Sequence, residues 1–172
     1  INKIRYEPEA TMTLDKSAPV THTFTSTASS MQAVSNASRG VFTKTKTTTN
    51  AYAYVTLITN GEASSFGNSN ALVNQGSGCD HATRGVFAGG ATVDDQPSVN
   101  DMEYITIASA GNGTDFGNLT TARRVIGCQA MANTTRGIFA GGYTSSASNV
   151  MDYITIASAG NATDFGNLTA AS

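Results

Sequence analysis

Along residues 151–158, "MDYITIAS", the side chains alternate: Tyr153, Thr155 and Ala157 fall on one side of an extended chain, and Ile154, Ile156 and Ser158 on the other. A period of two predicts a β-strand. Because apolar residues stand on both sides, that strand is expected to be covered on both faces, as in a stack of sheets. "RRVIGCQA" (123–130) and "RGIFAGG" (136–142) read as two strands upstream of it, the second ended by its glycines or opened by them to a close backbone approach. Downstream, "AGNATDF" supplies a Gly-Asn turn and leads into a short strand through Phe165 and Leu168. The predicted unit is therefore four short strands in about 50 residues.

That unit is written more than once. "EYITIASAGNGTDFGNLTT" (103–121) and "DYITIASAGNATDFGNLTA" (152–170) differ at three of nineteen positions, and an eroded copy, "AYVTLITNGEASSFGNSNA", runs from Ala53 to Ala71. Tyr54, Tyr104 and Tyr153 are spaced by 50 and 49 residues, as are Phe66, Phe116 and Phe165. "RGVFAGG" (84–90) and "RGIFAGG" (136–142) are 52 apart, and the weaker "RGVFTKT" (39–45) has no double glycine. A repeat that cannot bury its own faces needs its neighbours to do so. The organisation expected is an N-terminal arm or degenerate unit over 1–38 and an array over 39–172, divided as 39–83, 84–135 and 136–172.

A repeated four-stranded unit of this length resembles a β-propeller blade, and more specifically the kelch family. The residues that carry the resemblance are Arg84, Gly89, Gly90, Tyr104 and Phe116 in one copy, and Arg136, Gly141, Gly142, Tyr153 and Phe165 in the next; Phe stands where the family has Trp. The resemblance implies an all-β fold of about three kelch-like blades, an incomplete ring within this chain. The "YITIAS…GNATDFGNLT" wording is similar to arrays in bacteriophage tail-fibre and other virion-surface proteins. It implies a non-enzymatic tail-fibre or capsid-surface module, extracellular on the virion, whose partners are other virion proteins, further copies of itself and a host surface receptor or glycan. A kelch-like interaction scaffold of non-viral origin is the alternative.

Composition narrows this further. Only 13% of residues are charged, Trp is absent, and Thr, Ser, Ala, Asn and Gly dominate, which favours strands and turns. All four lysines lie in the first 46 residues, and the remainder sets four arginines against nine acids, so no basic face for nucleic acid is expected. No apolar run approaches the roughly 20 residues of a membrane helix, and no insertion is expected. Opening on Ile1, the chain is expected to be processed or part of something longer. Cys79 and Cys128, 49 apart, are expected to be buried free thiols at the same phase of the repeat.

No catalytic set, cofactor or metal site is expected. "DFG" at 115–117 and 164–166 lacks the other kinase signatures, and no Lys follows position 46. Some kelch-like propellers are copper oxidases, which need at least two histidines with a tyrosine; here only His22 and His81 occur, far apart. Asp94 and Asp95, with Asp101 and Glu103 nearby, match no calcium-loop spacing and read as solvated loop acids. Arg84 and Arg136 open equivalent strands, where a guanidinium can bridge to a carboxylate or carbonyls of the adjacent unit. The loops after the double glycines, "ATVDDQPSVNDME" and "YTSSASNVMD", differ in length and chemistry between nearly constant strands. Recognition resides in such loops, so Asp94, Asp95, Gln96 and Tyr143 are the candidate binding residues.

Overall fold

The computed structural model describes residues 4–7, 11–16, 18–23, 32–46, 49–70, 75–92, 97–124 and 130–171. All regular elements among them are strands. Near the N-terminus β1 (Ile4–Glu7), β2 (Thr11–Lys16) and β3 (Ala18–Thr23) form a three-stranded antiparallel meander, with Ile4 opposite Leu14 and Asp15 opposite Pro19.

Three four-stranded antiparallel meanders follow. The first comprises β4 (Ala33–Ser35), β5 (Arg39–Lys46), β6 (Thr49–Thr56) and β7 (Ser64–Asn68). β8 (Ser77–His81), β9 (Arg84–Ala88), β10 (Asp101–Thr106) and β11 (Thr114–Asn118) make the second. β12 (Ala130–Ala132), β13 (Arg136–Ala140), β14 (Val150–Thr155) and β15 (Thr163–Asn167) make the third. Each meander thus begins one strand before the arginine at which the repeated letters start.

Local chemistry explains the turns. In "NASR" and "NTTR" the Asn36 and Asn133 side-chain oxygens accept the backbone N–H of Arg39 and Arg136, both at 2.8 Å, closing the first hairpin of the first and third sheets. The second sheet has "HATR" there, and Ala82 takes a left-handed φ of 40° instead. Gly89 and Gly90 have φ of 62° and 116°, and Gly141 and Gly142 of 71° and 109°, so the chain leaves both strands through a backbone that side-chain-bearing residues avoid. In the first sheet Lys44 and Thr45 stand at these places, and β5 runs on through Lys46 paired with β6.

The sheets stack in series, and the core lies between them. Val34, Val41, Tyr52 and Phe66 of the first pack against Phe87, Ile105 and Ile107 of the second. Cys79, Val86, Ala88, Met102, Phe116 and Leu119 of the second pack against Phe139, Ile154 and Ile156 of the third. Val86 and Phe87, adjacent on β9, are both buried and serve opposite interfaces, as strand alternation with two apolar faces requires. Burying side chains of this kind contributes roughly 1.5–3 kcal/mol each.

One expectation is corrected by the register. Cys79 lies opposite Val86, and Met131 lies opposite Ile138, so Met131 and not Cys128 repeats the place of Cys79. The letters 49 apart mislead because the "RGVFAGG" copies are offset by 52 and the strand before each follows that offset. Cys79 is buried and free, its thiol pushed up to about 12 by burial and then by Asp80; Cys128 lies outside the described residues.

Candidate functional site

The residues that recur in every copy build the junctions between sheets. Arg39, Arg84 and Arg136 open β5, β9 and β13, and their guanidinium carbons sit 4.3, 4.1 and 4.6 Å from the ring centres of Tyr54, Tyr104 and Tyr153 on the adjacent strand. Each tyrosine meets a phenylalanine edge-on, at 6.0 Å to Phe66, 6.0 Å to Phe116 and 5.9 Å to Phe165. The arginine then reaches forward: Arg39 Nη1 donates to the Ile107 carbonyl at 3.1 Å, and Arg84 Nη1 to the Ile156 carbonyl at 3.0 Å. Arg84 therefore bridges to a carbonyl of the adjacent unit, the structural role its position suggests. Arg136 holds the same pose over Tyr153 on an exposed sheet face.

Two carboxylates latch the junctions. Glu103 on β10 accepts the Tyr52 hydroxyl, the Ser69 hydroxyl at 2.5 Å and the Asn70 N–H at 2.9 Å, all from the first unit. Burial, followed by the charge of Glu103, pushes the Tyr52 hydroxyl far above the usual phenol range. Asp152 on β14 accepts the Thr120 hydroxyl at 2.5 Å and pairs with Arg123 at 2.7 Å, both side chains of the ion pair fully buried. Arg123 also donates through Nη2 to the Phe139 carbonyl at 3.2 Å. Glu103 is thus no solvated loop acid: it is half-buried on a strand and its oxygens are engaged. The signal for both latches was the acid immediately before Tyr104 and Tyr153, retained as Glu and Asp.

A third device was also missed. The loop of each following unit lies on the last strand of the preceding one. Asn112 Oδ1 accepts the Asn68 N–H and Asn161 Oδ1 accepts the Asn118 N–H, each at 3.0 Å. The Gly113 and Ala162 N–H groups donate back to the Asn68 and Asn118 carbonyls, each at 2.8 Å. This close approach needs glycine at Gly117, whose Cβ would stand 2.5 Å from the Gly160 carbonyl.

Of the candidate recognition residues, Asp94, Asp95 and Gln96 lie outside the described residues. Tyr143 is exposed, and its backbone pairs both ways with Arg124, at 2.9 and 2.8 Å. The Arg124 guanidinium carbon sits 5.6 Å from its ring centre. Arg123 meanwhile pairs with the preceding loop, its carbonyl accepting the Gly90 N–H at 2.9 Å and its N–H donating to the Val99 carbonyl at 3.2 Å. Residues 123–124 therefore tie the two post-glycine loops side by side, giving an aromatic and a cation a fixed place on one rim.

A cavity of about 280 Å³ opens between the first two units, with Phe87 and Met102 beside the polar groups of Gln32, Asn70, Asp101 and Asp115. The Gln32 side-chain oxygen is buried and has no hydrogen-bond partner among the described residues. No cluster of three or more His, Cys, Asp or Glu side chains able to hold a metal ion occurs among the described residues. The chain matches no protein-family model and no curated protein sequence.

Proposed function

We propose that this chain is a structural module of a bacteriophage particle, a tail fibre or capsid-surface fibre, whose sheets are kelch-like propeller blades and whose post-glycine loops contact a host receptor or glycan. The observation that supports it is the division of labour between constant and variable residues. Arg84, Tyr104, Phe116, Glu103 and the Asn112 loop are spent on holding neighbouring units. The segments that differ between units, around Asp94–Gln96 and Tyr143, are left to recognition on a rigid support. Tyr143 beside Arg124 suits a sugar or peptide surface, since an aromatic face and a guanidinium both bind while losing little conformational entropy.

An antibody against the chain, applied to particles from the culture that yields the sequence, tests the particle role by electron microscopy. Regular multicopy labelling on a tail or capsid is expected. Labelling confined to cell extract, with the chain bound to one cellular protein, would replace this reading with the non-viral scaffold. Binding of the purified chain to intact host cells, reduced at least about tenfold by Tyr143→Ala with the fold intact, tests the loop role.

A further inference from the structure

We infer that the cavity between the first and second sheets binds a small alkylguanidinium molecule, whose cationic group takes there the place that the Arg123 side chain takes between the second and third. The inference rests on a comparison of the two junctions and not on the particle role proposed above.

Both junctions follow one plan. Glu103 lies opposite Phe87 across β9 and β10, as Asp152 lies opposite Phe139 across β13 and β14. Glu103 Oε2 accepts the Asn70 N–H at 2.9 Å, and Asp152 Oδ2 accepts the Thr120 N–H at 3.3 Å. In the second junction a guanidinium completes the arrangement. Arg123 Nη1 donates to Asp152 Oδ2 at 2.7 Å and Nη2 to the Phe139 carbonyl at 3.2 Å, so one planar group bridges a carboxylate and a strand carbonyl. "TARR" follows Thr120, whereas "ALVN" follows Asn70 and supplies no cation; residues 71–74 lie outside the described residues.

The first junction has the cavity of about 280 Å³ instead, a volume near the small end of ligand pockets. Phe87 and Glu103, the counterparts of Phe139 and Asp152, line it, and Asp101 and Asp115 add two further carboxylates. No arginine, lysine or histidine is among the described residues that line it. Glu103 is half-buried and receives neutral donors, from Tyr52, Ser69 and Asn70. A carboxylate offers about four acceptor sites, so Oε2 has room for a second donor, as Asp152 Oδ2 has for Arg123. Independently of the acids, Gln32 is 4% exposed and lines the cavity, and its Oε1 has no partner among the described residues. A buried acceptor in that state is destabilising until a donor reaches it. Phe87 and Met102, both buried, give an alkyl stem its apolar wall. A positive charge with several N–H donors and a short stem meets all these groups at once, whereas an anion or a neutral ligand leaves the carboxylates uncompensated.

Calorimetric titration of the full chain with n-butylguanidinium chloride at low ionic strength provides the test. Saturable binding of one equivalent is expected, at least about tenfold tighter than that of n-butylammonium, whose compact charge does not span both acceptors. Gln32→Leu should weaken binding about tenfold and Asp101→Asn, at an exposed position, about threefold, both checked for unchanged thermal unfolding without ligand. Asp164→Asn, at the exposed counterpart of Asp115 in the third unit and outside the cavity, should leave binding unchanged. The absence of saturable binding, equal affinity for the two cations, or full affinity retained by both Gln32→Leu and Asp101→Asn would each overturn the proposal.

Discussion

Phe116 and Phe165 offer an internally controlled measurement of what a neighbouring unit contributes. Both follow the letters "TD", both precede glycine, and both meet a tyrosine edge-on at nearly the same distance, 6.0 and 5.9 Å. They differ in cover: Phe116 is 2% exposed and Phe165 is 46% exposed. Fully burying a phenylalanine stabilises by roughly 1.5–3 kcal/mol, and truncating it to Ala costs about 3–5 kcal/mol once the cavity is included. Phe116→Ala should therefore cost about 3–4 kcal/mol. Phe165→Ala loses about half of the transfer contribution and opens no closed cavity, so about 1–1.5 kcal/mol is expected. Urea unfolding of both variants at a concentration where the chain is monomeric gives the difference directly, provided the slope with denaturant is unchanged. Costs equal within about 0.5 kcal/mol would show that the following sheet does not cover Phe116, and the serial stacking would be refuted.

Asp152→Ala leaves Arg123 buried without its carboxylate and should cost about 3–5 kcal/mol, whereas Asp115→Ala, at an exposed acid of the same unit motif, should stay within about 0.5 kcal/mol; equal losses would mean that the ion pair is not buried. Gly117→Ala and Gly166→Ala impose similar strain at φ of 128° and 119°, yet only the first drives a methyl into the Gly160 carbonyl, so it should cost about 2 kcal/mol more in the same unfolding assay. Cys79 and Tyr52 both have folded-state pKa values raised above the unfolded ones, so the unfolded chain releases protons first as pH rises. Their contribution is complete below about pH 8 and is then lost by up to about 1.4 kcal/mol per pH unit per group. For Cys79 the loss continues to about 12, and Cys79→Ala should remove its share of the alkaline slope in urea midpoints without changing the slope at neutral pH.

The sequence by itself determined the alternating strands and their two-sided character, although the strand expected over 123–130 is β12 at Ala130–Ala132. Alternation in "MDYITIAS" names both faces of β14, and the double glycines end β9 and β13, because these are properties of a single extended chain and its allowed torsions. The forward reach of Arg84 was legible as well, since a donor-rich side chain at a repeated position has the neighbouring copy as its natural acceptor. What only the tertiary structure decided were properties of pairs of segments far apart in sequence. Glu103 looks like a surface acid until Tyr52, Ser69 and Asn70 of another unit close on it, and Asn112 looks like a turn residue until its amide meets Asn68. Near-identical letters also conceal opposite environments: Phe116 is core and Phe165 is surface. Burial is set by the sheet that arrives from elsewhere, and no local pattern encodes whether it arrives.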